Sequence, residues 1–240
     1  MQRFAEARSL LAAVERLLLP AECLLCTRAL SGEDPDALIC GMCRARWVPL
    51  PFPLCERCGS PVDGVEPCRL CLEWPPALRS VRSAVWLDES ARRAVHRLKY
   101  DGWWRASRAM AVAMRSLPPL TRRVSLIPVP LASRRRRQRG YNQSERIAQS
   151  LADVGGHDLR CDVLFRTRET PTQTKLSPEA RAANVADAFA ARDVPAGPCV
   201  ILDDVFTTGA TLVAAAEALV AGGAADVHAV TFARARTQIG

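Results

Sequence analysis

The stretch VILDDVFTTGAT, Val200 to Thr211, decides how this chain is read. Val200, Ile201 and Leu202 form the apolar run of a buried parallel strand. Asp203 and Asp204 follow at its carboxyl end, where open α/β sheets place their ligands. Thr207, Thr208, Gly209, Ala210 and Thr211 then offer consecutive backbone N–H groups and three hydroxyls. Gly209 lets the backbone approach an anion closely, and the Ala-rich helix that follows adds its positive end. A strand, an acid pair, a phosphate-sized turn and a helix suit a sugar phosphate. The turn takes the phosphate, and the carboxylates accept hydrogen bonds from ribose hydroxyls. A strand–turn–helix with a solvated Asp pair is the plainer reading, but it leaves the phosphate-shaped turn unexplained.

Working back from this stretch, strands and helices alternate. Val81–Leu87 reads as a strand and Ala91–Tyr100 as a short basic helix. A second helix covers Trp103–Ser116 and is stopped by Pro118 and Pro119. Val124–Val129 is a strand bounded by Pro130. A strand ends at Leu164–Phe165, a polar loop runs from Arg166 to Ser177, and a helix from near Pro178 carries Arg181 and Asn184. Val185–Ala190 leads to the strand of the signature, and Asp226–Phe232 is the last strand. This alternation implies an α/β fold with a mostly parallel sheet.

Between the second strand and the next helix lies Ser133–Gln143, SRRRRQRGYNQ. A charge run is usually a solvated loop. This one leads into a helix with Asn142 at its cap and Glu145 three residues later. Arginine suits bidentate contact with phosphate or pyrophosphate. Arg139 and Gly140, next to Tyr141, Asn142 and Gln143, are the candidates for pyrophosphate or nucleic-acid contact. For Arg134–Arg137, contact and plain solvation both stand.

Eight of the ten cysteines precede residue 72, in four Cys-x-x-Cys pairs. Two thiolates separated by two residues can turn back on one metal ion, and two such knuckles complete a tetrahedron. Sequential pairing predicts one zinc on Cys23, Cys26, Cys40 and Cys43 and a second on Cys55, Cys58, Cys68 and Cys71; interleaved pairing remains open. Gly59 follows Cys58, as knuckle turns prefer. A disulfide framework would need an oxidising compartment, and nothing in the sequence directs export. Four thiolates per ion leave no open position, so the zinc is structural. Cys161 and Cys199 stand alone and read as small core residues.

The 240 residues, 49% of them hydrophobic, have room for one or two domains with a proper core. Trp74, Pro75 and Pro76 mark a change of style, which places a boundary between 1–76 and 77–240. Phe4–Leu19 reads as an amphipathic helix rather than a signal peptide, because Glu15 and Arg16 interrupt its apolar run. No stretch is long and apolar enough to span a bilayer, and a cytoplasmic location is expected. The net charge of +8 is uneven: residues 1–72 carry 8 Lys+Arg against 9 Asp+Glu, and residues 73–240 carry 25 against 16. The basic portion fits a polyanion or a phosphate-rich substrate. His96, His157 and His228 read as structural or exposed. Trp103 and Trp104 flank basic residues and suit either base stacking or helix packing.

DDVFTTGAT resembles the phosphoribosyl pyrophosphate (PRPP) loop of type I phosphoribosyltransferases. Together with the cysteine pairs, LKYDG (Leu98–Gly102), RGYNQ (Arg139–Gln143) and the spaced Thr170, Gln173, Leu176, Arg181 and Asn184, it covers nearly the whole chain and resembles the ComF family of bacterial competence proteins, also called the GntX group. The resemblance implies a type I phosphoribosyltransferase-like parallel sheet with helices on both faces, preceded by a zinc-ribbon module in the place of a hood. It implies that Asp203 and Asp204 hold the ribose hydroxyls, that Thr207, Thr208, Gly209, Ala210 and Thr211 cradle the 5-phosphate, and that Mg²⁺ neutralises the pyrophosphate, assisted by Lys99 and Arg139. It also implies a role in DNA uptake or the use of external DNA, with single-stranded DNA and the competence machinery as partners. By analogy with related folds it suggests a homodimer. Two readings follow. One is a DNA-handling protein with a PRPP-binding pocket. The other is a Mg²⁺-dependent phosphoribosyltransferase acting on a base that no residue set in the sequence identifies.

Overall fold

The computed structural model describes residues 21–31, 38–62, 68–168 and 188–236. The expected helix at Phe4–Leu19, the helix near Pro178 with Arg181 and Asn184, and Thr170, Gln173 and Leu176 lie outside them.

The centre is a five-stranded, all-parallel sheet. Its strands are β1 (Ser80–Trp86), β2 (Ser125–Pro128), β3 (Asp158–Leu159), β6 (Cys199–Phe206) and β7 (Val227–Arg234), in the spatial order β1-β7-β6-β2-β3. The side-chain period of two sorts each strand onto two faces. Val200, Leu202, Leu126, Val230 and Phe232 pack into one core layer. Cys199, Ile201, Ile127, Val227 and Ala229 pack into the other. Burial on both faces is why these strands read as continuous apolar runs.

The first face is covered by α2 (Glu89–Tyr100), α3 (Ser107–Met114) and α5 (Gln143–Gly155), through Leu98, Met110, Met114, Ile147 and Leu151. The second face is covered by α6 (Ala210–Ala221), through Leu212, Ala215, Ala216 and Leu219. A small antiparallel pair, β4 (Leu164–Arg166) with β5 (Phe189–Ala191), joins that second layer. The fold is therefore the α/β arrangement expected, with helices on both faces. α5 follows β2 on one face and α6 follows β6 on the other, so the crevice between β2 and β6 is the switch point where such sheets bind ligands.

Three local expectations change. The signature strand does not end at Leu202; it continues through Asp203 and Asp204 to Phe206. β2 stops at Pro128, opposite Leu202, while β7 goes on pairing with β6 as far as Arg234 opposite Phe206. The acids are thus held rigidly by one neighbour and left open on the other side. The arginine run is no loop: α4 (Ser133–Arg139) is a helix with no buried residue. The stretch after Gly102 is a 3-10 turn, Trp104–Ala106, leading into the shorter α3.

The cysteine-rich portion, with α1 (Gly41–Ala45), packs directly on the sheet. Cys23, Leu25, Ile39, Cys40, Cys43 and Trp47 belong to the same core layer as Phe232, and the Trp47 and Phe232 rings meet edge to face at 4.9 Å. Val48 and Pro49 run along the outer edge of β1: the Trp86 amide donates to Val48 O at 2.8 Å, and Pro49 bridges Val85. An edge strand that would otherwise present unpaired amides is covered. Arg234, 2% exposed, donates from the end of β7 to Cys58 O at 2.8 Å and to Ser60 Oγ, with its guanidinium 4.0 Å from the Phe206 ring centre.

Candidate functional site

The cysteines form two groups of four, Cys23/Cys26/Cys40/Cys43 and Cys55/Cys58/Cys68/Cys71, with the sulfurs of each group within 4.8 Å of one another. The pairing is sequential, not interleaved. Burial opposes ionisation of Cys23, but amides of Cys40, Leu25 and Cys26 and the Cys26 side chain outweigh it and bring its thiol down to about 7. Cys55 is likewise brought down to about 7, mainly by the Cys58 and Arg57 amides. Burial, the Cys26 thiol and other neighbouring sulfurs push Cys43 up; burial and the Cys58 charge push Cys71 up. Four sulfurs this close repel one another as thiolates unless a cation shares them, which is what a tetrahedral Zn²⁺ supplies. Gly59 closes the second knuckle at φ +68°, its amide donating to Cys55 O at 2.9 Å, and a Cβ there would lie 2.6 Å from Val81 O. Of the two remaining cysteines, Cys199 is buried as expected. Cys161 is exposed instead, on a bend between β3 and β4.

At the carboxyl ends of β6 and β2 lies a cleft of about 530 Å³. Asp203, Asp204, Thr207, Thr211, Lys99, Arg139 and Gln143 line it, so most of the residues singled out from sequence meet there. Lys99 Nζ sits 2.5 Å from Asp204 Oδ2, and Gln143 Nε2 reaches Asp204 Oδ1 at 3.4 Å. Asp203 Oδ1 accepts from Ser144 Oγ at 2.8 Å and from the Asp204 amide at 2.9 Å. Burial, then the Asp204 charge, pushes Asp203 up to about 7 against the pull of Lys99. Arg139 donates to Gln143 Oε1 at 2.8 Å and lies 4.9 Å from the Tyr100 ring centre.

The phosphate-sized turn follows at once. Thr207 is exposed and Thr208 Oγ1 is 3.5 Å from the Ala210 amide. Gly209 sits at φ +85° as the cap of α6 and has no side chain of its own to close the helix end. Thr207 before the turn and Thr211 in the first turn of that helix line the cleft, which places its positive end beside it. Gly209 has a second reason to be glycine. A Cβ there would stand 2.4 Å from Trp74 Cζ2, because the Trp74 indole packs beneath the turn. Trp74 comes from the segment after the second cysteine group. It is fixed by Arg57, which donates to Trp74 O at 2.8 Å and Pro75 O at 2.5 Å.

Gly140, Tyr141 and Asn142 do not line the cleft. Gly140 ends α4, its amide donating to Arg136 O at 2.9 Å. Tyr141 donates its hydroxyl proton to Leu98 O. Asn142 is buried: its amide group donates to Val129 O at 2.9 Å and its Oδ1 accepts from the Ser144 amide at 3.1 Å. Asn142 thus caps the helix on which Gln143 and Ser144 meet the acids. Within the arginine run, Arg135 lines the cleft and Arg136 pairs with Glu145 at 3.6 Å. Of the histidines, His157 is buried, His228 bonds Ser80 Oγ and Asp226, and His96 lines the cleft. Sequence reading missed Ser144 and Trp74. Each meets its partner across 59 or more residues, and no local pattern announces such a contact.

A parallel sheet with a ligand crevice at its switch point, an acid pair on the strand end and a glycine-capped phosphate turn define a phosphoribosyltransferase-type domain. Residues 109–239 match the phosphoribosyl transferase domain family, and residues 14–72 match the double zinc ribbon domain. The chain belongs to the phosphoribosyl transferase family, in the arrangement where a double zinc ribbon precedes that domain. It is 34% identical over 221 residues to the DNA utilization protein YhgH of Salmonella typhi, covering 88% of this chain and 96% of that one. It is 27% identical over 240 residues to the competence protein ComFC of Bacillus subtilis, covering 88% and 94%. With competence protein F of Haemophilus influenzae the identity is 29% over 173 residues, covering 67% and 76%. The ComF-type resemblance drawn from the cysteine pairs and DDVFTTGAT is borne out. Among the described residues no helix is long and apolar enough to cross a membrane.

Proposed function

We propose that this chain binds PRPP, or a sugar phosphate of the same chemistry, in the β2–β6 cleft, as a cytoplasmic protein serving the use of external DNA. One observation carries the reading: Asp203 and Asp204 line the same cleft as Thr207 and Thr211, which flank the glycine-capped start of α6. A ribose 5-phosphate carries both hydroxyls and a phosphate, and this cleft offers carboxylate acceptors on the strand and hydroxyl donors from Thr207 and Thr211 at the turn that follows. Thr207, Thr208, Gly209, Ala210 and Thr211 would take the phosphate. Asp203 and Asp204 would accept from the 2′- and 3′-hydroxyls, replacing Ser144 and Gln143 as their partners. Lys99 and Arg139 would meet the pyrophosphate, with Arg135 at the rim. The carboxylates are hard oxygen donors suited to Mg²⁺, which would neutralise the pyrophosphate when bound. The role in DNA use is carried over from relatives named for DNA utilization and competence.

Calorimetric titration of PRPP with Mg²⁺ tests this on the wild type and on Asp203→Ala/Asp204→Ala. Binding that is present in the first and lost in the second supports the pocket and justifies a screen of acceptor bases. Absence of heat with the wild type, or full binding by the double variant, refutes it.

A further inference from the structure

Large aromatic side chains are rarely left in water as a contiguous group unless something covers them. Three of them are exposed within five positions of chain: Tyr100, which lines the cleft, at 64%, Trp103 at 43% and Trp104 at 45%. Two of the three rings have arginines on them. Arg139 lies 4.9 Å from the Tyr100 ring centre, Arg146 lies 4.9 Å from that of Trp104, and Arg105 lies 6.0 Å from the same ring. The rings are held in place. The Trp103 amide donates to Arg97 O at 3.3 Å, the Trp104 amide to Gly102 O at 2.9 Å, and the Ala106 amide to Trp103 O at 3.0 Å. Ser107 and Ser150 hydroxyls meet at 2.8 Å, which fixes α3 against α5 and so sets Trp104 against Arg146. The nearby acid, Asp101, is already paired with Arg97 at 2.9 Å and with His96 at 3.6 Å. The ridge therefore has a positive excess.

We infer that this ridge, Tyr100, Trp103 and Trp104 with Arg139, Arg146 and Arg105, is a stacking track for the unpaired bases of a single-stranded nucleic acid. Planar rings set beside guanidinium groups are what successive bases and their phosphates need. A duplex hides its base faces and offers such a ridge only its backbone. Helix packing does not explain the rings, since each leaves over two-fifths of its surface in water. The track begins at the sugar-phosphate cleft, because Tyr100 and Arg139 line both. The inference rests on the proposed link to DNA, though not on PRPP itself.

Fluorescence anisotropy tests it, using a labelled deoxythymidine oligomer of about twenty nucleotides, long enough to cover several stacking positions. Against it are set a blunt duplex, an abasic oligomer of equal length and a uridine oligomer. The wild type should bind the thymidine oligomer more tightly than the duplex or the abasic strand. Trp104→Ala and Tyr100→Ala should each weaken the thymidine oligomer by about five- to 150-fold, the range for one lost stack. Trp104→Phe, which keeps a ring, should restore most of the binding and shows that folding is not at issue. Neither alanine variant should change the weak binding of the abasic strand. Equal binding of thymidine and uridine oligomers means that the bases are read and the sugar is not; preference for thymidine assigns DNA. Either way the track stands. Wild-type binding that is absent, or equally tight on the abasic strand, or untouched in both alanine variants, overturns it. Calorimetry with PRPP on Trp104→Ala separates the two proposals, since that ring lies outside the cleft and its loss should leave sugar-phosphate binding intact.

Discussion

Replacing Gly209 by Ala tests how the phosphate turn is built. The change adds one methyl group at φ +85°, a conformation that costs a non-glycine residue about 1–2 kcal/mol. The same methyl would stand 2.4 Å from Trp74 Cζ2, 2.8 Å from Trp74 Cη2 and 3.1 Å from Phe206 Cε2. Overpacking of this kind costs about 1–3 kcal/mol. Gly209→Ala should therefore lower unfolding free energy by about 2–5 kcal/mol in urea denaturation with zinc retained. The two contributions can be separated. Trp74→Ala removes the obstacle but not the backbone strain, so the double variant should be less destabilised than the sum of the singles by about 1–3 kcal/mol. Calorimetry on the same proteins should show PRPP binding weakened in Gly209→Ala and partly recovered in the double variant. Additivity within about 0.5 kcal/mol would refute the reasoning, because Trp74 would then not be what glycine accommodates.

Other outcomes follow from the same geometry. Asp203 is pushed above its ordinary 3.8 to about 7, so between those values the folded chain holds a proton that the unfolded chain releases. Stability of the ligand-free protein should thus fall as pH rises from about 4 to about 7, while Mg²⁺-PRPP affinity, which uses the carboxylate, should rise through about 7. Lys99→Met removes a positive charge that favours the carboxylate and should move that rise to higher pH; an affinity profile flat in pH for both proteins would contradict the assignment. Arg234→Met leaves Cys58 O and Ser60 Oγ without their buried donor and should cost about 2–4 kcal/mol in chemical denaturation, with Arg234→Lys recovering little of it. Elemental analysis should find two zinc ions per chain. Competitive chelation should remove them with loss of the Trp47–Phe232 contact, read as a change in tryptophan emission.

Much of this architecture could be read from the chain alone, because its signals are local. The apolar runs at Val124–Val129, Val200–Leu202 and Asp226–Phe232 are buried on both faces, and the paired cysteines carry their ligand geometry in their spacing. Sequence reading failed where partners decide. Nothing near Asp203 shows that β7 extends the strand past Leu202 while β2 stops. Residues 133–139 lack any apolar stripe, so their helix leaves no periodic signal. Cys161 looks like a core residue in composition, and only the bend it occupies exposes it. In the cleft, the residue types were legible but their division of labour was not. Gly140, Tyr141 and Asn142 lie outside the cleft lining, and Ser144 meets Asp203 across 59 positions.

Trp74 is neither a metal ligand nor part of the cleft lining, yet the turn at Gly209 rests on it. Its place is set by Arg57, which also donates to Cys71 O at 3.2 Å within the second cysteine group. The floor under the turn at Gly209 is thus furnished by the cysteine-rich portion of the chain. Under the proposed function, chelating zinc should weaken sugar-phosphate binding as well as loosen the cysteine-rich portion, which calorimetry before and after metal removal checks. A truncation beginning at residue 77, meant to isolate the sheet for biochemistry, would discard part of the seat it set out to study.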